Sequence, residues 1–90
     1  MLVNEISIGI NQLSLAELEP GKEARILSLG KGRGFRARML GLGIRPGALV
    51  SVVSGSGNGS RVVQIGRQQI MLGHGMVSHI FITEDVYANN

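Results

Sequence analysis

The chain reads as strand, then briefly as helix, then as strand again. In "KEARILSLG" (22–30), Ala24, Ile26 and Ser28 share one face and Arg25, Leu27 and Leu29 the other, the period of a half-buried strand. The period then changes. Phe35, Met39 and Leu42 stand at i, i+4 and i+7, one apolar stripe on about two turns of helix. Gly43 suits the left-handed residue that closes a helix, and Ile44 is expected to fold back on Met39. "RPGA" (45–48) reads as a turn in which Pro46 presets φ and Gly47 supplies a positive one. "LVSVVS" and "RVVQIG" then flank "GSGNGS", where Asn58-Gly59 signals a hairpin. A tight turn at Gly66-Arg67 leads to "QQIML", "GHGMVS" is a half-turn of helix or a loop, and "HIFIT" is the last strand.

Ahead of these elements, Ser14 can cap a single helical turn, with Glu17 three residues on and Pro20-Gly21 to end it. Residues 1–12 form an N-terminal extension, either an edge strand through "EISIGI" or loose, residues 13–83 form the domain, and 84–90 reads as a frayed tail unless Val86 or Tyr87 anchors it. Strand, short helix and four strands at close spacing predict a mostly β fold, a small partly open barrel. A helix this short cannot cover a sheet, so it is expected to plug one barrel end. Met39, Leu42, Gly43, Ile44, Pro46 and Gly47 then form the structural corner between plug and wall.

The length allows one domain, and a chain of this size buries roughly two-thirds of its unfolded surface. The absence of cysteine removes disulfides and thiolate metal sites, so an aliphatic core must hold the fold. No run approaches the ~20 apolar residues of a membrane helix, and the N-terminus lacks the basic start and apolar run of a signal peptide. The expected location is the cytoplasm.

Charge changes the picture more than composition does. Lys31, Arg33, Arg36, Arg38 and Arg45 fall within fifteen residues, and no acid stands between Glu23 and Glu84. Such a field favours an acidic protein surface, a phosphate or nucleic acid; the plainer reading is a solvated face that keeps a small protein soluble.

Candidate chemistry is sparse. Gly32, Gly34 and Ala37 in "GRGFRA" match a dinucleotide fingerprint, but "SVVSGSG" stands where an acid should hold the ribose, and hairpins follow instead of a parallel crossover. Lys22 and Lys31 follow glycines but lack the hydroxyl residue of a Walker loop. His74 and His79 are five apart, a spacing that puts them cleanly on one face of neither a helix nor a strand. They are weak metal candidates, able to complete a site only with a second molecule. No serine has a base and an orienting acid beside it in the sequence, which argues against an enzyme. Direct nucleic-acid binding is disfavoured too, because the bases come without the aromatic platforms that single-strand binders use.

"LAELEPG" (15–21), "ARILSLG" (24–30), "GFRARMLGLGIRPGALVSVV" (34–53) and "QQIMLGHGMVSHIFI" (68–82) together resemble the family of ferrous iron transport protein A, FeoA. The match is densest at Arg36, Arg38, Leu42, Gly43, Ile44, Pro46 and Gly47. The family often carries a longer "P-L-G-D-P" connection where this chain has "GSGNGS", and often an arginine after the leucine where this chain has Gly73-His74. The resemblance implies an SH3-like barrel and a non-enzymatic role in ferrous iron uptake, docking on the cytoplasmic GTPase domain of a membrane ferrous iron permease. It also extends to a domain at the end of iron- or manganese-dependent repressors, where protein contacts are made. The expected partner-binding residues are Lys31, Arg33, Arg36, Arg38 and Arg45, with no cofactor. The alternatives are a metal-responsive module that associates through a divalent ion at His74 or His79, and a basic nucleic-acid-binding barrel.

Overall fold

One strand pairs along both its edges in the computed structural model, which describes residues 13–55, 59–83 and 87–88. β1 (Leu13–Ser14) precedes it; β2 (Lys22–Leu29) itself pairs antiparallel with β3 (Leu49–Ser54) along one edge. Along its other edge lie β6 (Ile80–Ile82) and then β7 (Tyr87–Ala88), also antiparallel. β4 (Arg61–Ile65) and β5 (Gln68–Leu72) continue the sheet beyond β3, and β1 adds outside β6. The order is β1-β6-β2-β3-β4-β5, and β5 does not pair with β1, so the sheet stays open. A nine-residue helix, α1 (Arg33–Gly41), joins β2 to β3, and a single turn, α2 (His74–Val77), joins β5 to β6. This is the mostly β, partly open barrel with one short helix that the pattern predicts.

The alternation of β2 holds as far as Ile26 and then slips. Ala24 and Ile26 are buried, but the register with β6 shifts between Ile26 and Ser28. Such a bulge adds a residue on one strand and reverses the faces beyond it. Leu29, expected on the outer face, is therefore buried, whereas Ser28 is only half-buried.

The stripe on α1 also ends sooner than its spacing suggests. Met39 is fully buried and Phe35 packs against the core from the side. Leu42, the third member, caps the helix and is 37% exposed; the fully buried Ile44 takes its place in the core. Gly43 makes that possible with φ +86. Its N–H donates to the Leu40 carbonyl at 3.0 Å and the Ile44 N–H to the Met39 carbonyl at 2.9 Å, the paired bonds of a Schellman motif. The next turn follows at once. Gly47 has φ +92, and the Ala48 N–H donates to the Arg45 carbonyl at 3.1 Å, as in a type II turn with Pro46 leading. The Gly47 N–H donates to the Ile26 carbonyl at 2.8 Å, and the Ile26 N–H donates to the Ala48 carbonyl at 2.9 Å, so the corner is bonded to the middle of β2.

Other local expectations hold. The Glu17 carboxylate accepts from the Ser14 N–H at 2.6 Å and the Ser14 hydroxyl accepts from Ala16 N–H at 3.2 Å, closing a single 3₁₀ turn over Leu15–Glu17. Gly66, with φ +62, opens the two-residue turn between Ile65 and Gln68. In the β3–β4 connection, Asn58 lies outside the described residues, but Gly55 is needed for space: a Cβ there would stand 2.5 Å from the Ser60 carbonyl oxygen. The N-terminal extension 1–12 and the tail residues 84–86 and 89–90 also lie outside the described residues. Tyr87, named as an anchor, pairs through its backbone with Glu23.

One polar group is out of keeping with this core. Arg61 is only 5% exposed; its Nη1 donates to the Leu18 carbonyl, while its buried Nε has no partner. An unpaired buried donor costs about 1–3 kcal/mol. Arg61→Met should therefore leave stability unchanged or raise it in urea denaturation, because a buried ion replaced by an apolar residue of similar size is often neutral or stabilising. Gly43→Val should lower stability by about 2 kcal/mol in the same assay, since a β-branched side chain resists a positive φ. Gly34→Ala should instead add about 0.5–1 kcal/mol, because a methyl group there meets nothing within 4 Å.

Candidate docking surface

The helix α1 carries three of the five clustered bases, and the loops at its two ends carry the others. Lys31, Arg33, Arg36, Arg38 and Arg45 are all exposed. Lys31 adopts φ 72, and its Nζ lies 5.7 Å from the centroid of the Phe35 ring, within range of a cation–π attraction. Phe35 meets His79 edge to face at 6.3 Å and 69°. The Gly30 N–H donates to the His79 carbonyl at 2.8 Å, so the start of α1 is fastened to the segment after α2. At its other end the helix is held by the Gly43 cap and by Gln68, whose Nε2 donates to the Leu42 carbonyl at 2.7 Å. The bases therefore sit on a braced support.

Among the described residues no ion pair offsets their charge. The first turn of α1 has no acid, and its N-cap, Gly32, has no side chain to accept from the free N–H groups. The positive end of the helix dipole thus adds to Lys31 and Arg33, whereas Arg38 stands in the last turn, where a cation is favourable. The bases do not form one face. At about 100° per residue, Arg33 and Arg36 flank Leu40 on one side of the buried stripe, and Arg38 lies about 160° round from Arg36, beside Leu42. Arg45 follows beyond the corner.

The weak metal candidates are not brought into a site. His74 is exposed at the head of α2. His79 places Nδ1 2.9 Å from the Gly75 carbonyl oxygen and 3.3 Å from Ser78 Oγ. A carbonyl can only accept, so it is Nδ1 that donates in this bond. Among the described residues no three His, Asp or Glu side chains gather as a metal site would need. Nor, among them, is any helix long and apolar enough to cross a membrane.

A feature that the sequence did not single out is a cleft of about 520 Å³ on the outer face of β2, β3 and β4, lined by Glu23, Arg25, Leu49, Ser51 and Gln64 among others. Its floor is the outward half of the strand alternation, and Arg25 is fastened there by donating from Nη1 to the Gly47 carbonyl at 2.6 Å. None of the five clustered bases lines it.

The FeoA domain model matches residues 13–84. The chain belongs to the FeoA domain family. A search of curated protein sequences gives no match. Among solved structures, it is similar to the FeoA of Stenotrophomonas maltophilia in complex with zinc, described as a procaryotic SH3 domain protein and a candidate activating factor of ferrous iron transport. Identity is 19% and the TM-score 0.78, covering 87% of this chain and 99% of that one. An iron uptake regulatory protein, also a FeoA, superposes with TM-score 0.74 at 21% identity, covering 79% of this chain and 95% of that one. A manganese-dependent transcriptional repressor matches at 15% identity with TM-score 0.71, covering 80% of this chain but 41% of its own. These likenesses establish the SH3-like fold of the family member described above.

Replacing Arg36 and Arg38 together by glutamate should leave the protein folded and lower its stability by no more than about 1 kcal/mol, because both side chains are exposed and the main loss is the favourable cation in the last turn. Thermal melts followed by circular dichroism check this.

Proposed function

We propose that this FeoA domain protein is a small cytoplasmic accessory or regulatory protein of ferrous iron uptake, acting without catalysis by docking on the GTPase domain of a membrane ferrous iron permease. Family membership supports the iron-uptake role, and the descriptions of the related FeoA structures point the same way. The observation that carries the docking role is the group of five exposed bases, Lys31, Arg33, Arg36, Arg38 and Arg45, on a braced helix and its flanking loops, in a stretch of sequence that holds no acid between residues 23 and 84. Rim charges of this kind speed association more than they deepen affinity, and salt weakens them.

A second reading follows from His79. The bond from Nδ1–H to the Gly75 carbonyl orients the ring as a second-shell bond orients many metal ligands, leaving Nε2 free to bind a divalent ion shared with another copy. In that case size-exclusion elution shifts to a larger species with zinc or ferrous iron and returns with chelator, and His79→Ala removes the shift.

An NMR titration of the labelled protein with the soluble GTPase domain from the same source, in GDP and then a GTP analogue, tests the docking role. Shifts should cluster on residues 31–45 and weaken steeply between low and physiological salt. The Arg36→Glu, Arg38→Glu double variant should lose them while remaining folded; unchanged binding by that variant overturns the assignment.

A further inference from the structure

We infer that recognition uses one flank of α1, with Leu40 as its apolar anchor and Arg33 and Arg36 as its rim, and that the flank fits an apolar socket edged by carboxylates on a partner protein. This rests on the docking role proposed above and narrows it. Leu40 is 51% exposed on a helix whose core contacts are already made by Phe35 and Met39, so the fold itself makes limited use of it. Helical spacing puts Arg36 one turn before Leu40 and Arg33 two turns before it, all on the same side. An apolar centre inside a polar rim is the common anatomy of a protein interface.

Three further observations set the chemistry of the occupant. The rim is positive, and the sequence holds no acid from residue 24 to residue 83, so a partner that brings carboxylates complements it. The anchor is preorganised: Met39 next to it is fully buried, and the Gly43 and Ile44 amides lock the helix end, so little backbone order remains to be lost on binding. The opposite flank is poorer, with one base, Arg38, beside a less exposed Leu42. A membrane surface fits less well, because one half-exposed leucine on a two-turn helix offers little apolar area to insert between lipids.

The test is a titration of the full chain and its variants with the soluble GTPase domain, at two salt concentrations, with thermal melts to confirm folding. Leu40→Ser should weaken binding roughly 5-fold at both salts, as expected for losing the burial of half a leucine side chain. Arg33→Ser and Arg36→Ser should slow association mainly at low salt, while Arg38→Ser and Leu42→Ser should stay within about twofold of the parent. If the parent binds and Leu40→Ser binds as well as it does, the anchor is wrong and the docking role stands. If the parent does not bind the GTPase domain at all, both fall together. Binding to phosphatidylglycerol vesicles that depends on Leu40 and that the GTPase domain fails to compete away would overturn the protein socket in favour of a lipid surface.

Discussion

The bond from the Ile44 N–H back to the Met39 carbonyl is the tie on which the rest of the arrangement hangs. It exists because Gly43 turns left-handed, and it brings two core side chains, Met39 and Ile44, to the same place from either side of a helix end. The next residues have no slack. Arg45 to Ala48 form a type II turn whose Gly47 and Ala48 bond directly to Ile26 in the middle of β2. Helix stop, corner and central strand are thus one continuous hydrogen-bonded construction. A residue that could not adopt φ +86 at Gly43 would displace Ile44 from the core and the corner from β2 together.

β2 is the second constraint, because strands pair along both its edges. Its bulge is what lets Leu29 reach the core after Ile26. Without cysteines the chain depends on such placements. Each fully buried aliphatic side chain contributes about 1.5–3 kcal/mol, and Arg61, buried with an unpartnered Nε, is a local cost that the core offsets.

Stability and recognition occupy different sides of the same short helix. Phe35 and Met39 face inward, and the arginines and Leu40 face outward, so charge can change on one side without disturbing packing on the other. The bracing at both helix ends, through Gly30 and His79 and through Gln68 and Leu42, holds that outward side in place. In the proposed role the protein needs no moving part: it presents a fixed positive flank to a partner that brings the opposite charge.

Features that depend on backbone angles and short periods are legible in the chain before it folds. The left-handed stop at Gly43, the Pro46-Gly47 turn, the Gly66 turn, the Ser14–Glu17 cap and the alternation through Ala24 and Ile26 all follow from residue type and spacing within a few positions. The family phrase from Arg36 to Gly47 was legible for the same reason, because its chemistry is that of a local corner. The inward turn of Leu29, and not of Ser28, follows from long-range pairing, since the register slip answers to β6, some fifty residues away. Long-range packing likewise puts Ile44 in the core in place of Leu42, buries Arg61 against Leu18, and forms the cleft on the outer faces of three strands. Those outcomes depend on which strands meet and in what register, and a pattern of one residue against the next does not carry that information.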